Sequence, residues 1–156
     1  MIITSPNDAL YLVSSKFRIK GGTFSSTGGS NNAISIRENS SLRLESQNDI
    51  NITSAGNDEA LEIKDSSYAS IRKNDGNLNI SNSNPDNILD IEVDGLSLLK
   101  IKNDTTVLGS ISIGLSSNLI IEENSSVGDL FCSPSADGHL DITSVINGSN
   151  NCPFGD

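Results

Sequence analysis

Ala33-Ile34-Ser35-Ile36-Arg37-Glu38-Asn39-Ser40-Ser41 and Asn118-Leu119-Ile120-Ile121-Glu122-Glu123-Asn124-Ser125-Ser126 are two versions of one phrase. Each alternates apolar and variable positions, the period of a half-buried strand, and each then runs into the same polar turn. Related segments start at Ala9, Ala60 and Ile88, so the phrase recurs at spacings of 24, 27, 28 and 30 residues. A second short strand follows the turn in each repeat: Phe17-Arg18-Ile19, Leu42-Arg43-Leu44, Ala69-Ser70-Ile71, Leu99-Lys100-Ile101 and, in a weaker form, Val127-Gly128-Asp129-Leu130. A third comes after another turn, as Ile50-Asn51-Ile52, Leu78-Asn79-Ile80, Ile111-Ser112-Ile113 and Leu140-Asp141-Ile142, with Phe24 as a faint counterpart in the first repeat.

Strands this short in a fixed order of three are best satisfied by coiling the chain, so that each strand stacks on its equivalent one turn later. The expected fold is therefore all-β: a parallel β-helix, or β-solenoid, of about five rungs with three short strands each. It forms one domain over 1–156, with rungs starting near 9, 33, 60, 88 and 118 and a C-terminal cap over 131–156. The expected inward residues include Leu10, Leu12, Leu89 and Ile91 on the first face, Phe17 and Ile19 on the second, and Ile111, Ile113, Leu140 and Ile142 on the third. Leu119 and Ile121 are assigned to the first face. An antiparallel sandwich also has many short strands, but it gives no reason for a three-strand order to recur with the same turn. Helix is excluded by the lack of apolar residues at helical spacing.

Composition agrees with a narrow, repetitive interior. In 156 residues there is no Trp, one Met and only six Phe and Tyr, so the core must be filled by Ile and Leu; β-branched Ile favours strands. Ten Lys and Arg against twenty Asp and Glu give a net charge of −10, which opposes attraction to nucleic acid or to an anionic membrane. No run approaches the roughly 18 apolar residues that cross a bilayer, so membrane insertion is not expected. The stretch from Met1 to Ala9 lacks the basic and apolar regions of a secretory leader; a secreted form would have lost its leader before this point. Cys132 and Cys152 bracket a tail rich in Gly, Ser, Asn and Pro. A bridge between them would close that tail and imply an oxidising compartment; two unrelated free thiols are the alternative. Six Asn-x-Ser/Thr sequons, at Asn39, Asn51, Asn79, Asn103, Asn124 and Asn147, are of the number that so much Asn and Ser generates by chance.

These rungs resemble the right-handed parallel β-helix of the pectin-lyase-like superfamily, from Ala9 to Thr143, at the level of pattern. No catalytic motif of that superfamily is visible. Its members include polysaccharide-degrading enzymes, secreted adhesins and viral tail proteins, so the resemblance implies a fold and leaves the task open.

Charge placement supplies the sharpest asymmetry. Eight of the ten basic residues, Lys16, Arg18, Lys20, Arg43, Arg72, Lys73, Lys100 and Lys102, lie on or beside the second strand. Arg18, Arg43 and Lys100 should form an outward column interrupted by Ser70. With Arg72 they make a candidate surface for an acidic glycan, against the plainer account that they pair with Glu45, Asp75 and Asp104. On the third face Asn51, Asn79, Ser112 and Asp141 should stack as a polar ladder that stabilises the coil. The acid pairs that could serve glycoside hydrolysis are Asp90 with Glu62 and Glu92 with Glu122, and His139 has no evident acid and nucleophile around it. The turns Asn57-Asp58-Glu59 and Asp94-Gly95 are read as ordinary turns rather than calcium sites. The expectation is a non-catalytic extracellular or cell-surface module, structural or adhesive. It would need no cofactor and no metal, and its partners would be a polysaccharide or further copies of itself. A polysaccharide-degrading lyase or glycoside hydrolase, or a viral tail-fibre segment, is the alternative.

Overall fold

The computed structural model describes residues 2–27, 31–84, 89–107, 109–141 and 143–154. Nineteen strands lie among them, arranged rung by rung. The first rung is β1 (Ile2–Ser5), β2 (Leu10–Val13) and β3 (Lys16–Ile19); the second is β4 (Gly22–Ser26), β5 (Ile34–Arg37) and β6 (Ser41–Ser46). The third is β7 (Ile50–Ser54), β8 (Leu61–Ile63) and β9 (Tyr68–Lys73), and the fourth is β10 (Leu78–Asn82), β11 (Ile91–Val93) and β12 (Leu98–Lys102). Two shorter rungs follow, β13 (Thr106–Val107), β14 (Ile111–Ile113) and β15 (Asn118–Ile121), then β16 (Ser126–Val127), β17 (Leu130–Cys132) and β18 (Asp137–Leu140), before β19 (Val145–Ile146).

Strands pair in parallel with the strand three places on, except that β10 and β13 are not paired. Two sheets of six strands result, β2-β5-β8-β11-β14-β17 and β3-β6-β9-β12-β15-β18. The third face is split between a four-stranded sheet, β1-β4-β7-β10, and a three-stranded one, β13-β16-β19. The chain is a β-solenoid. At about 4.8 Å per rung its six-stranded sheets extend roughly 24 Å from first strand to last. Ile34, Ile36, Leu42, Leu44, Ile50 and Ile52 have no exposed surface, and with the buried residues of later rungs such as Leu61, Ile63, Ile71, Leu99 and Ile101 they form one aliphatic column. At the open side of the first rung Phe17, expected inside, is 40% exposed.

The repeats run one rung further than the sequence spacing suggests, and several residues change face. Ile91, not Leu89, stands opposite Leu61. Ile111–Ile113 stacks on Ile91–Val93 in the first sheet instead of on the third face. Leu119 and Ile121 stack on Leu99 and Ile101 in the second sheet, and Leu140 stacks on Ile121. Val127 belongs to the third face, paired with Val107. Ile88, Ile142 and the rung start expected near 88 fall outside the described residues.

The cause is a turn used twice. Glu38 and Asn39 take φ of 54° and 62°, and Glu123 and Asn124 both take 58°, so Glu-Asn-Ser-Ser makes the same left-handed corner in both places. In the second rung that corner joins the first face to the second, and after β15 it joins the second to the third. Equal local chemistry thus sits at different corners. Meanwhile the connection from third to first face shrinks from eight residues between β10 and β11 to two between β16 and β17.

At the corner between the first two faces a buried serine recurs. The Ser40, Ser67, Ser97 and Ser117 hydroxyls accept the backbone N–H of Ser15, Ser40, Ser67 and Ser97 at 3.1, 3.1, 3.1 and 3.2 Å. A bent backbone cannot continue the ladder there, and the hydroxyl occupies the acceptor position that would otherwise be empty. The last rung is closed by the tail. Cys132 and Cys152 are disulfide-bonded with Cα atoms 4.9 Å apart, Asn150 bridges Leu130, and the Phe154 ring lies over Gly138, where a Cβ would meet it at 2.7 Å.

Candidate functional site

The register of the second sheet puts Arg18, Arg43, Ser70, Lys100, Ile120 and His139 in one column. Beside it runs a second column in which Glu45, Arg72 and Lys102 stand opposite one another. Side chains alternate across a strand, so both columns point away from the core.

Glu45 organises the cationic end. Its carboxylate has no exposed surface, yet it lies on the outer face and its cover is made of arginine. Arg18 donates through Nε to Oε2 at 2.6 Å and pairs through Nη2 as well; Arg72 pairs with Oε1, and Arg43 Nη1 approaches Oε1 at 3.7 Å. Burial alone would raise the Glu45 pKa, but the hydrogen bond from Arg18 and the charges of Arg72 and Arg18 outweigh it and hold the carboxyl below its ordinary value. One carboxylate cannot neutralise three guanidinium groups. Lys100 adds a further cation, paired with Glu122 at 2.7 Å, and among the described residues Lys102 has no carboxylate within ion-pairing distance. Arg43, Tyr68, Ser70, Arg72, Lys100 and Lys102 line a concavity of about 170 Å³, well under the roughly 300 Å³ at which pockets begin to enclose drug-sized ligands. It suits one charged group of a larger molecule.

The carboxylates on the first sheet are engaged otherwise. Glu62 is buried and accepts from Arg37 Nε and Nη2 at 2.8 Å each and from Ser35 at 2.6 Å. Lys64 bridges Glu62 and Glu92 at 2.9 and 2.6 Å. Burial would lower the Lys64 pKa, yet the bonds to Glu92 and Glu62 raise it. Glu62 is likewise held below its ordinary value against desolvation, by Ser35, Lys64 and Arg37. Such a carboxylate stays ionised and cannot serve as a proton donor at neutral pH. Asp90 is spent on backbone, accepting the N–H groups of Asn82 and Ser110 at 2.5 and 2.7 Å. Glu92 and Glu122 bind different lysines beside different sheets, and Asp90 and Glu62 are engaged by separate partners.

The expected polar ladder is broken in two. Asn51 and Asn79 do stack, with Thr23 before them. Ser112 instead lies on the first sheet between Glu92 and Phe131. Asp141 follows the last strand of the second sheet and caps a turn, accepting Thr143 Oγ1 and N and the Glu123 N–H at 2.7, 2.8 and 2.7 Å. Those bonds, led by that from the Thr143 hydroxyl, lower its pKa. The shortened rungs carry Ser112 and Asp141 to other faces. Among the described residues no group of three or more His, Cys, Asp or Glu converges as a metal site.

Two contributors to the cationic concavity were not legible as such. Tyr68 stands two residues before Ser70 and opposite Ser41 and Leu98, a position visible once the second strands are aligned. The sequence offers Glu45 only as a pairing partner; that it lies buried beneath three arginines depends on side-chain directions across three rungs.

Fold and site together define a class, a disulfide-closed β-solenoid with a cationic strip on one face of an acidic rod. No family model, no curated protein and no solved structure matches the chain.

Proposed function

We propose that this chain is a non-catalytic extracellular adhesion or display module that holds an acidic polysaccharide on its second sheet, and that its coil is the right-handed one of pectin-lyase-like proteins. The observation that carries the reading is the concentration of Arg18, Arg43, Arg72, Lys100 and Lys102 on one face of a chain with net charge −10, with Glu45 and Glu122 as the carboxylates in their ion pairs. Guanidinium groups bind carboxylate and sulfate through paired, charge-assisted hydrogen bonds. The disulfide supports an oxidising compartment. Against an enzyme stand the fixed ion pairs of Glu62 and Glu92 and the backbone duty of Asp90.

The test is calorimetric titration with a polyuronate, a sulfated polysaccharide and a neutral glucan. The charged polymers should bind with an affinity that falls as salt rises, and the Arg43→Glu/Lys100→Glu double variant should weaken them at least about tenfold. Equal binding of the neutral glucan, or an unchanged double variant, would remove the reading.

A further inference from the structure

The cationic concavity does not end in bare rod. The next strands carry the columns of Tyr68 and Ser70 into a second hollow lined by Leu98, Asn118, Ile120, Asp137 and His139, with Leu119 and Gly138 beneath. The two hollows are continuous by register: Tyr68, Leu98, Asn118 and Asp137 form one column, and Ser70, Lys100, Ile120 and His139 the other. Their centres lie two rungs apart, about 10 Å at the spacing of paired strands. Their chemistry is opposite. Cations surround the first, whereas the second has half-buried Leu98 and Ile120 as a floor and the exposed carboxylate of Asp137 at its edge. The wider sequence reinforces the contrast, since no Lys or Arg follows Lys102 and seven Asp and Glu do.

We propose that the two hollows are subsites of one track along the rod axis and that together they select a glycan whose acidic units are sparse, with an anionic unit on the cationic concavity and uncharged units on the Leu98–Ile120 saddle. This rests on the acidic-polysaccharide reading and narrows it. A densely charged chain on the same track would set a second anion against Asp137, where like charges repel. An uncharged sugar ring would instead lay its C–H face on Leu98 and Ile120, replacing water over apolar surface. The Tyr68 ring, which lines the cationic concavity at the start of that column, offers a stacking platform there.

The experiment compares three probes of equal length on the intact protein: an oligosaccharide with one terminal uronate and otherwise neutral hexoses, an oligo-uronate, and a neutral oligosaccharide, each with a sulfated counterpart for the charged members. At physiological salt the single-acid probe should bind at least as tightly as the oligo-uronate, and lengthening its neutral part over the saddle should raise affinity. Asp137→Lys should strengthen the oligo-uronate by about threefold or more while moving the single-acid probe little, and Ile120→Asp should weaken the single-acid probe most. An oligo-uronate that binds more tightly in proportion to its charge, with no response to Asp137→Lys, would overturn the two-subsite inference while leaving the acidic-glycan reading intact. No binding of any charged probe would overturn both. Circular dichroism and thermal melting of each variant separate a lost site from a lost fold.

Discussion

Replacing Glu45 by Gln should make the protein less stable and better at holding anions. The carboxylate is buried under Arg18, Arg43 and Arg72, whose side chains are 45%, 55% and 33% exposed. Breaking a fully buried ion pair costs about 3–5 kcal/mol. Here the arginines reach water and can be resolvated, and Gln keeps one acceptor for Arg18, so the loss should be about 2 kcal/mol. For a chain of this size that is a fall in melting temperature of about 4–8 °C. The pH dependence is specific. The folded-state pKa of Glu45 lies below its ordinary 4.5, so its contribution is fully present above about pH 4.5 and is lost as pH falls further towards the folded value. The gap between wild type and Glu45→Gln should thus be constant at neutral pH and close in acid. Anion affinity should move the other way, because three guanidinium groups lose their internal counter-charge. Differential scanning calorimetry from pH 3 to pH 7, with sulfated oligosaccharide titrations at pH 7, checks both halves. A variant as stable as wild type at pH 7, or a stability gap that persists unchanged at the acid end, would refute the argument that Glu45 is an ionised staple.

Ser67→Ala removes the acceptor of the buried Ser40 N–H and should cost about 1–3 kcal/mol, whereas Ser67→Thr, which keeps the hydroxyl, should lose less; urea denaturation at fixed pH measures both. Cys132→Ser/Cys152→Ser opens a link across 20 residues, worth about 3 kcal/mol in the loop-entropy account. Its effect should concentrate in the tail, with hydrogen exchange accelerating over 147–154 and β17–β18 while β5–β9 keep their protection; uniform loss across all rungs would argue against a separate plug. Ile63→Ala, at a position with no exposed surface in the middle of the column, should cost about 2–5 kcal/mol through lost contact and a residual cavity, read by the same denaturation assay.

The parallel coil and the cationic column were legible because both depend only on local periodicity: Arg18, Arg43, Ser70 and Lys100 sit at the middle of second strands whatever the rung length. The later rungs were not, because alignment followed the turn, and Glu-Asn-Ser-Ser turns the chain alike at either corner. Ser112 and Asp141 leave the expected third-face ladder for that reason. The serine ladder at Ser40, Ser67, Ser97 and Ser117 was present in the sequence as a serine just before each second strand, but in so serine-rich a chain it carries no signal until the backbone shows which amides lack partners. Glu45 draws its role from arginines on its own and the adjacent rungs, and Asp137 from strands one and two rungs away, which spacing along the chain does not reveal.

The unequal connections between third and first faces separate what can drift from what must be kept. A segment that is eight residues long in one turn of the coil and two in another is under no metric constraint, so loops of foreign length can be accepted at that corner without disturbing the stacked strands. The cationic sheet lies elsewhere on the perimeter and is insulated from such changes. A lineage could therefore vary the outline along one edge while keeping the arginine- and lysine-bearing sheet unchanged, and an engineer could graft there for the same reason.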